Sequence, residues 1–357
     1  MCPIHLFVLG CVVKSHIDTD TDPMGLTGFY PLLQKQGSYV PYQVSLEELR
    51  DKTVALDGDF FLYKALHGYT TGEQVGPHEL ADRVSKWLEL ATSAGIRPVF
   101  ITTGGPPPIE KQAHCGQVRK RKRERSQEVI EELESKLLTE SDLGEELHMR
   151  NKICRLRNSI RRISTDISRQ IVEILVRRGF ECRSARSEAD FMLVMMSEDQ
   201  QCDYVATDDA DILVSGATHV IRGFVRMLVA SDTRGSVFCR QDVMACLGLS
   251  SQELLQLGTL LSCDYQPAIH NVGPVTALRM IQQHRTVDAF LRSAAFETQT
   301  TSRPNKKRKY TLPSGMSIEA YSNASNRSVG IFQSRPDKEP DITPKRNGDP
   351  GTTLYCD

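Results

Sequence analysis

The chain has 357 residues and a mass of 40.0 kDa, and 39% of its residues are hydrophobic, which suits one large domain or two smaller ones. Its 44 Lys and Arg balance 45 Asp and Glu, so the overall charge points to no class of partner. No apolar run approaches the ~18 residues of a membrane-spanning helix. Ten cysteines without a C-x-x-C pair exclude a zinc ribbon, argue against a disulfide scaffold, and favour a reduced protein of the cytosol or nucleus.

The first 23 residues are predicted to be an N-terminal extension. They contain an apolar run from Ile4 to Val13, but no positive charge precedes it, in contrast to a secretory signal. Met24 and Gly25 look like the start of the folded body, which we expect to cover 24–297. We therefore also expect the active form to begin near Gly25.

Strands that alternate with helices predict an α/β fold with an open, largely parallel sheet. Apolar periodicity predicts one helix between Leu80 and Ala91 and another over 167–178. Short apolar segments bounded by acids or turn residues predict the strands, which are 53–57, 98–102, 179–182 and 203–207.

A charged segment, 109–164, interrupts this alternation. Six of the seven residues in 119–125 are basic, 128–146 has eight acids and one lysine, and 150–162 has six basic residues and no acid. Such blocks are typical of a solvated helical insertion. Two basic blocks around an acidic one also favour the alternative, a helical clamp over a polyanion, which we predict here.

From about 298 to 357, polar residues dominate and apolar periodicity disappears, so we predict a disordered basic and polar tail. The tail contains a Lys-Lys-Arg-Lys cluster at 306–309, which is typical of a nuclear-import signal. The alternative is a solvated charge cluster. We predict a nuclear protein, in the host nucleus if the source is viral.

Acids follow the predicted strands or begin the helices after them. In open parallel sheets, ligands bind beyond the carboxyl ends of the strands, so these acids should converge. Several ionised carboxylates share a small site only when cations neutralise them, and two Mg²⁺ ions ~3.5–4 Å apart can clamp a phosphodiester for hydrolysis. For any single acid, the alternative is a helix N-cap or a surface charge. The acids are Asp57, Glu188, Asp190, Asp209, Asp211 and Asp264.

Six short motifs in one order resemble the flap endonuclease/XPG group of structure-specific 5′ nucleases, from Met24 to about His284. The motifs lie at 25–29, 54–58, 188–190, 207–213, 260–265 and 271–274. The resemblance implies a PIN-like parallel sheet flanked by helices, a helical clamp insertion, and a helix-two-turn-helix element over 254–291. The brevity and divergence of the chain would suit a viral member of the family.

The resemblance also implies roles for individual side chains. The six acids would bind two Mg²⁺ ions, for which Mn²⁺ can substitute. Lys111 and Arg119 would steady charge on the scissile phosphate, the alternative being general phosphate contact by a solvated basic helix. Tyr63 would stack on a nucleobase, the alternative being an ordinary core tyrosine. The remaining implied DNA contacts are Gly25, Arg121, Arg123, Val272, Gly273 and Pro274.

One position departs from the family pattern. The family has an Asp that ligates metal after its second strand, where this chain has Thr103. A neutral hydroxyl is a poorer Mg²⁺ ligand than a carboxylate. Asp59 lies two residues beyond Asp57 and is a possible substitute. The alternative is an exposed turn acid.

These features predict a metal-dependent, structure-specific endonuclease that cuts DNA at 5′ flaps or branched junctions in replication or repair. An alternative is a catalytically weakened or inactive junction-binding protein. A third possibility, an RNA-directed nuclease, is disfavoured by the hairpin at 271–274, which suits duplex DNA. We expect a monomer without a membrane partner, and the tail shows no Gln-x-x-hydrophobic-x-x-aromatic-aromatic motif for a sliding clamp.

Overall fold

The computed structural model describes residues 26, 28–35, 39–68, 75–139, 142–230, 233–293, 296 and 310–335. The strands are β1 Tyr42–Val44, β2 Thr53–Asp57, β3 Arg97–Thr103, β4 Cys182–Ala185, β5 Tyr204–Ala206, β6 His219–Arg222 and β7 Gly235–Cys239. The helices are α1 Phe29–Lys35, α2 Gly58–His67, α3 Pro77–Ser93, α4 Ile109–Leu137, α5 Leu143–Ile160, α6 Thr165–Arg177, α7 Ala189–Glu198, α8 Ala210–Ser215, α9 Phe224–Val229, α10 Arg240–Leu247, α11 Ser251–Leu260, α12 Pro274–His284, α13 Val287–Leu291 and α14 Ile318–Phe332.

The sheet has the strand order β1-β7-β6-β5-β2-β3-β4. The five strands from β6 to β4 are parallel, whereas β7 and β1 add antiparallel at one edge. β2 is central, and its Ala55 pairs with Val99 on one side and Val205 on the other. The α/β fold with a largely parallel sheet is thus confirmed.

The strand predicted over 179–182 is wrong in position, because β4 begins only at Cys182. Gly179 has a φ of +90° and donates its N–H to Val176 O, so it ends the preceding helix rather than starting a strand. A left-handed glycine after a helix is a helix stop, and the extended segment follows it.

Apolar side chains pack on both faces of the sheet in two cores. The first core joins α1, α7, α8 and α10 to α14, and includes Phe29, Leu257 and Phe290. The second core joins α2, α3, α6 and α9, and the Phe61 ring makes edge contacts with Trp87 and Phe100 there. Because helices cover both faces of the sheet, a site formed by the strands is expected at the strand ends.

The segment 109–164 contains the long helices α4 and α5, which pack against each other. Few of their side chains are buried, among them Ile130, Met149 and Ile153. Arg157 of α5 forms an ion pair with Glu134 of α4, so the acidic and basic blocks partly neutralise each other across the pair. Among the described helices, none is both long and apolar enough to traverse a bilayer.

The predicted disorder from 298 onward is wrong for 310–335, where α14 completes the first core. Tyr321 and Phe332 are fully buried. The buried Gln266 side chain donates hydrogen bonds to the Tyr321 hydroxyl (3.2 Å) and to Ser325 Oγ (3.0 Å). Composition misled here because α14 buries serines as hydrogen-bonded partners, whereas serine-rich segments are often solvated. The basic cluster at 306–309 and the extension 1–23 lie outside the described residues.

Candidate functional site

The predicted acids lie at the carboxyl edge of the sheet. Asp57 ends β2 and is also the N-cap of α2, where its carboxylate accepts the Phe60 N–H at 3.1 Å. No loop separates β2 from α2, and a Cβ on Gly58 would lie 2.4 Å from Ile101 O, so only glycine fits this junction. The backbone therefore holds Asp57 directly against the end of β3.

The other acids are held by helix starts and by one loop. Asp209 caps α8, and its Oδ1 accepts the N–H of Asp211 at 2.9 Å. Glu188 is the N-cap residue of α7, and Asp190 lies in the first turn of that helix. Helix amino termini favour negative charge, which supports acids at these positions. Asp264 follows α11 in the loop that leads to α12.

These carboxylates are close enough to raise the pKa values of one another. Burial and then the Asp190 carboxylate raise the pKa of Asp209 to about 7. Burial, followed by the carboxylates of Asp209 and Asp264, raises the pKa of Asp211 well above its usual range. Burial and Asp190 do the same for Asp57. The strand ends thus gather a set of acids that repel one another when ionised.

Lys111 is the cation inside this set. Its Nζ lies 2.5 Å from Glu188 Oε1 and 3.2 Å from Asp264 Oδ2. Burial alone would lower the pKa of Lys111, but Asp190, Glu188 and Asp264 raise it well above its usual range, so the ammonium is retained. Arg119 lies about two turns further along α4 with an exposed side chain, so the structure brings Lys111 but not Arg119 to the acids.

Two neutral residues that sequence reasoning did not single out hold the acids in place. The Thr207 hydroxyl donates to Asp57 Oδ2 at 2.7 Å and accepts the N–H of Asp209 at 3.1 Å, so it links two strand ends. The Tyr265 hydroxyl lies 3.5 Å from Glu188 Oε2. Both belong to motifs quoted for the resemblance, but a search for acids passes over them.

Thr103 and Asp59 meet at the end of β3. The Thr103 N–H donates to Asp59 Oδ2 at 3.3 Å, and Thr103 Oγ1 accepts the N–H of Ala189 at 3.0 Å. Asp59 lies in the first turn of α2 and is partly buried, so it is not an exposed turn acid. Burial is the main cause that raises its pKa, and the Asp190 carboxylate adds to it.

The predicted DNA contacts occupy three places. Tyr63 is partly buried on α2 and packs against the second core, which favours the alternative of a core tyrosine. Gly273 is exposed at the N-cap of α12, next to the buried Val272. A Cβ on Gly28, which has a φ of +79°, would lie 2.6 Å from Pro274 Cγ, so the start of α12 packs on the segment before α1.

Two further predicted contacts, Arg121 and Arg123, are exposed on α4. They stand beyond the part of α4 that carries Lys111. Gly25 lies outside the described residues.

The donor set suits a hard divalent cation. All the donors are carboxylate oxygens, the ligand type that Mg²⁺ and Mn²⁺ prefer. Asp211 is only 5% exposed, and its Oδ1 is buried without a hydrogen-bond partner, which is costly unless something else satisfies the atom. In the described part of the chain, no three acidic, His or Cys side chains enclose a common point as they stand. The site is therefore a gathered set of oxygen donors rather than a closed coordination shell.

We predict that the metal-free protein loses stability as the pH rises. The pKa values of Glu188 and Asp209 are about 7, above their ordinary 4.5 and 3.8. Between about pH 4 and pH 7 the folded state holds protons that the unfolded state releases, so the free energy of unfolding falls as pH rises through this window. Urea unfolding midpoints of chelator-treated protein, measured across that range, test this.

The matched variants for this prediction are Glu188→Gln and, as a control, Glu173→Gln, because Glu173 is exposed on α6. The first should flatten the pH profile and the second should not. A wild-type midpoint that rises with pH would contradict the raised pKa values of Glu188 and Asp209.

Comparison with known proteins identifies the family. The model of the XPG N-terminal domain matches residues 24–128, and that of the XPG I-region matches 179–264, which together cover more than half of the chain. Flap endonuclease 1 of Entamoeba dispar is 27% identical over 281 residues, which are 75% of this chain and 70% of that protein. Flap endonuclease 1 of Methanocella arvoryzae is 28% identical over 269 residues, 70% of this chain and 73% of that protein.

Solved structures share the fold. The catalytic core of Rad2 in complex with DNA substrate matches with a TM-score of 0.54 at 20% identity, over 78% of this chain and 75% of that one. Flap endonuclease-1 from Methanococcus jannaschii matches with a TM-score of 0.52 at 16% identity, over 84% of this chain and 98% of that one. The seven-stranded sheet flanked by helices is the PIN-like sheet of these proteins. The chain therefore belongs to the flap endonuclease/XPG family of nucleases.

Proposed function

We propose that the protein is a metal-dependent, structure-specific endonuclease that hydrolyses DNA phosphodiesters at 5′ flaps or branched junctions, in replication or repair in the nucleus. The observation that carries this proposal is the set of mutually repelling carboxylates around the Lys111 ammonium. Such a set is unfavourable in an apolar site unless cations neutralise it.

Two Mg²⁺ ions, or Mn²⁺ in their place, are the cations that these donors suit. When bound, they would polarise the scissile phosphate and lower the barrier to attack by water. The residues that would hold them are Asp57, Glu188, Asp190, Asp209, Asp211 and Asp264.

The surrounding side chains have roles that do not depend on the metal. Thr207 holds Asp57 and Asp209 at a fixed separation through its two hydrogen bonds. Lys111 carries a retained positive charge at the edge of the acids, where it can attract a phosphate oxygen. Arg119 is proposed to contact phosphate from the exposed face of α4.

Duplex DNA would lie along two exposed features. Gly273, the exposed N-cap of α12, stands at the amino terminus of that helix, and helix amino termini are ready-made phosphate sites. The basic part of α4 supplies Arg121 and Arg123, which contact phosphates without reading sequence. The proposed partner is therefore branched or flapped DNA, bound by a monomer.

Cleavage assays with the full chain test the function. Flap, nicked and single-stranded substrates, as DNA and as RNA, should be incubated with Mg²⁺, with Mn²⁺ and with a chelator. We expect cleavage of flap DNA with either metal and none with the chelator. Preferential cleavage of RNA would favour the RNA-directed nuclease instead.

A junction-binding protein without activity is the second candidate. Thr103 favours it, because a hydroxyl engaged by the Ala189 N–H replaces a metal-ligating acid of the family motif. Tight binding to flap DNA with no cleavage by either metal would support this candidate.

Charge reversal of Arg121 and Arg123 to glutamate should weaken binding to all DNA substrates about equally. Each lost phosphate contact removes roughly 0.9 from the slope of log K against log salt on duplex DNA, so the double variant should lose up to about 1.8. Binding titrations across a salt series measure this slope. The control reverses Arg169 and Arg177, which are exposed on α6. Equal slopes for the wild type and the Arg121/Arg123 variant would show that these two arginines face solvent and do not contact DNA.

A further inference from the structure

We propose that Asp59 supplies the metal-binding carboxylate that Thr103 lacks, so that the seventh acid of the site has moved from the end of β3 to the start of α2. This inference rests on the proposed metal-dependent function. It assigns to Asp59 a role that the family motif gives to a residue on a different element.

The two positions are neighbours in space. Asp57 pairs with Ile101 in the β2–β3 ladder, so the first turn of α2 lies beside the end of β3. The Thr103 N–H donates to Asp59 Oδ2 at 3.3 Å and approaches Oδ1 at 3.5 Å. A carboxylate attached at residue 59 therefore occupies the space next to the backbone of residue 103.

Asp59 lies among the acids of the site. It stands in the first turn of the helix that Asp57 caps, and its carboxylate accepts the N–H of Thr103, whose hydroxyl in turn accepts the N–H of Ala189, the residue between Glu188 and Asp190. The Lys111 ammonium, which forms ion pairs with Glu188 and Asp264, also attracts the Asp59 carboxylate through space. Asp59 is thus electrostatically part of the set, which then has seven acids.

The buried Oδ1 of Asp211, which has no hydrogen-bond partner, points independently to a ligand in this set. Thr103 cannot supply a carboxylate to that ligand, because its hydroxyl is neutral and a poorer ligand for a hard cation. The hydroxyl instead accepts the Ala189 N–H and so positions the start of α7, which carries Glu188 and Asp190. Position 103 has thus become an anchor for two of the acids.

Helix capping does not account for Asp59. The N-cap of α2 is Asp57, which accepts the Phe60 N–H itself. The one hydrogen bond that Asp59 accepts from the backbone comes from Thr103, and an asparagine Oδ1 could accept it equally well. The Thr103 side chain also interacts with the Asp59 carboxylate, so Asp59→Asn removes the charge and keeps the backbone contact.

The experiment measures Mn²⁺ binding to the metal-free full chain by titration calorimetry, and melting temperature with and without Mn²⁺. Asp59→Asn should weaken Mn²⁺ binding at least about tenfold. About tenfold is the lower end of the loss seen when a residue that only supports a metal ligand is removed, and a ligand itself should matter at least as much. Its metal-free melting temperature should not fall, because one repelling charge is gone.

The matched control is Asp203→Asn. Asp203 also accepts a backbone N–H from a neighbouring strand, that of Thr53 at 2.8 Å. It lies at the amino ends of β2 and β5, whereas the acids of the site lie at the carboxyl ends of the strands. This change should leave Mn²⁺ affinity unaltered. The double variant Asp59→Asn/Thr103→Asp returns the carboxylate to the family position and should restore the affinity to within a few-fold of the wild type.

Two results would overturn the inference while leaving the proposed function intact. One is a wild type that binds Mn²⁺ and an Asp59→Asn variant that binds it equally well. The other is a lowered melting temperature for Asp59→Asn together with a double variant that fails to regain affinity, since Asp59 would then be structural. A wild type that binds no Mn²⁺ would overturn the proposed function itself.

Discussion

Replacement of Asp211 by asparagine should abolish cleavage of flap DNA and leave binding of that DNA within a few-fold of the wild type. Asparagine has nearly the same shape but no charge, and Asp211 does not cap α8, because Asp209 has that role. The cleavage rate should fall by more than the ~10–100-fold that is typical when a residue that hydrogen-bonds to a metal ligand is removed. Single-turnover cleavage and equilibrium binding, measured on the same substrate, test both parts.

The control for this change is Asp242→Asn, which alters an exposed acid in the first turn of α10. It should affect neither cleavage nor binding. If Asp211→Asn instead collapses the melting transition and abolishes binding, the buried carboxylate is needed for the fold. If it cleaves at the wild-type rate, the acids at the carboxyl edge are not the active site.

Truncation of Tyr321 to alanine should destabilise the whole protein by about 3–5 kcal/mol, the range for large aromatic side chains removed from a core. Tyr321 is fully buried, and its hydroxyl donates to Pro267 O at 3.0 Å. Tyr321→Phe keeps the ring but removes the hydroxyl that joins Gln266 and Pro267, so it should cost about 1–3 kcal/mol, the range for leaving a buried partner unsatisfied. Urea unfolding gives both values.

Asn323→Ala on the same helix provides the control, since Asn323 is exposed and its loss should be nearly neutral. Tyr321→Ala and Asn323→Ala of equal stability would show that α14 is not part of the folded body. In that case the prediction that the tail from 298 is disordered would hold after all.

Sequence alone predicted the strands that form the centre of the sheet. The segments at 53–57, 98–102 and 203–207 are short apolar runs, and they became β2, β3 and β5, which are adjacent in the order β5-β2-β3. The strands β1, β6 and β7 were not predicted. Two of these, β1 and β7, pair antiparallel near the edge, and their residues show no clean apolar run because each strand is only partly buried.

The acids of the site were predictable because each follows a strand or begins a helix, and parallel strand ends converge. The contacts that organise them were not. Thr207 reaches Asp57 across 150 positions of the chain, and Thr103 reaches Ala189 across 86. Such bonds depend on the order of the strands in the sheet, and that order cannot be read from a single sequence. For the same reason the sequence left Asp59 as one of two alternatives.

The helical pair of α4 and α5 leaves the sheet after β3, and the chain returns through α6 to β4, which is the strand next to β3. The two ends of this excursion are fixed by paired strands, and most side chains of the two helices are exposed, so adding or removing turns at their far ends would change few buried contacts. The length of the pair can therefore vary without moving the carboxylates, so in the proposed nuclease the size of the bound DNA and the chemistry at the strand ends could be altered separately.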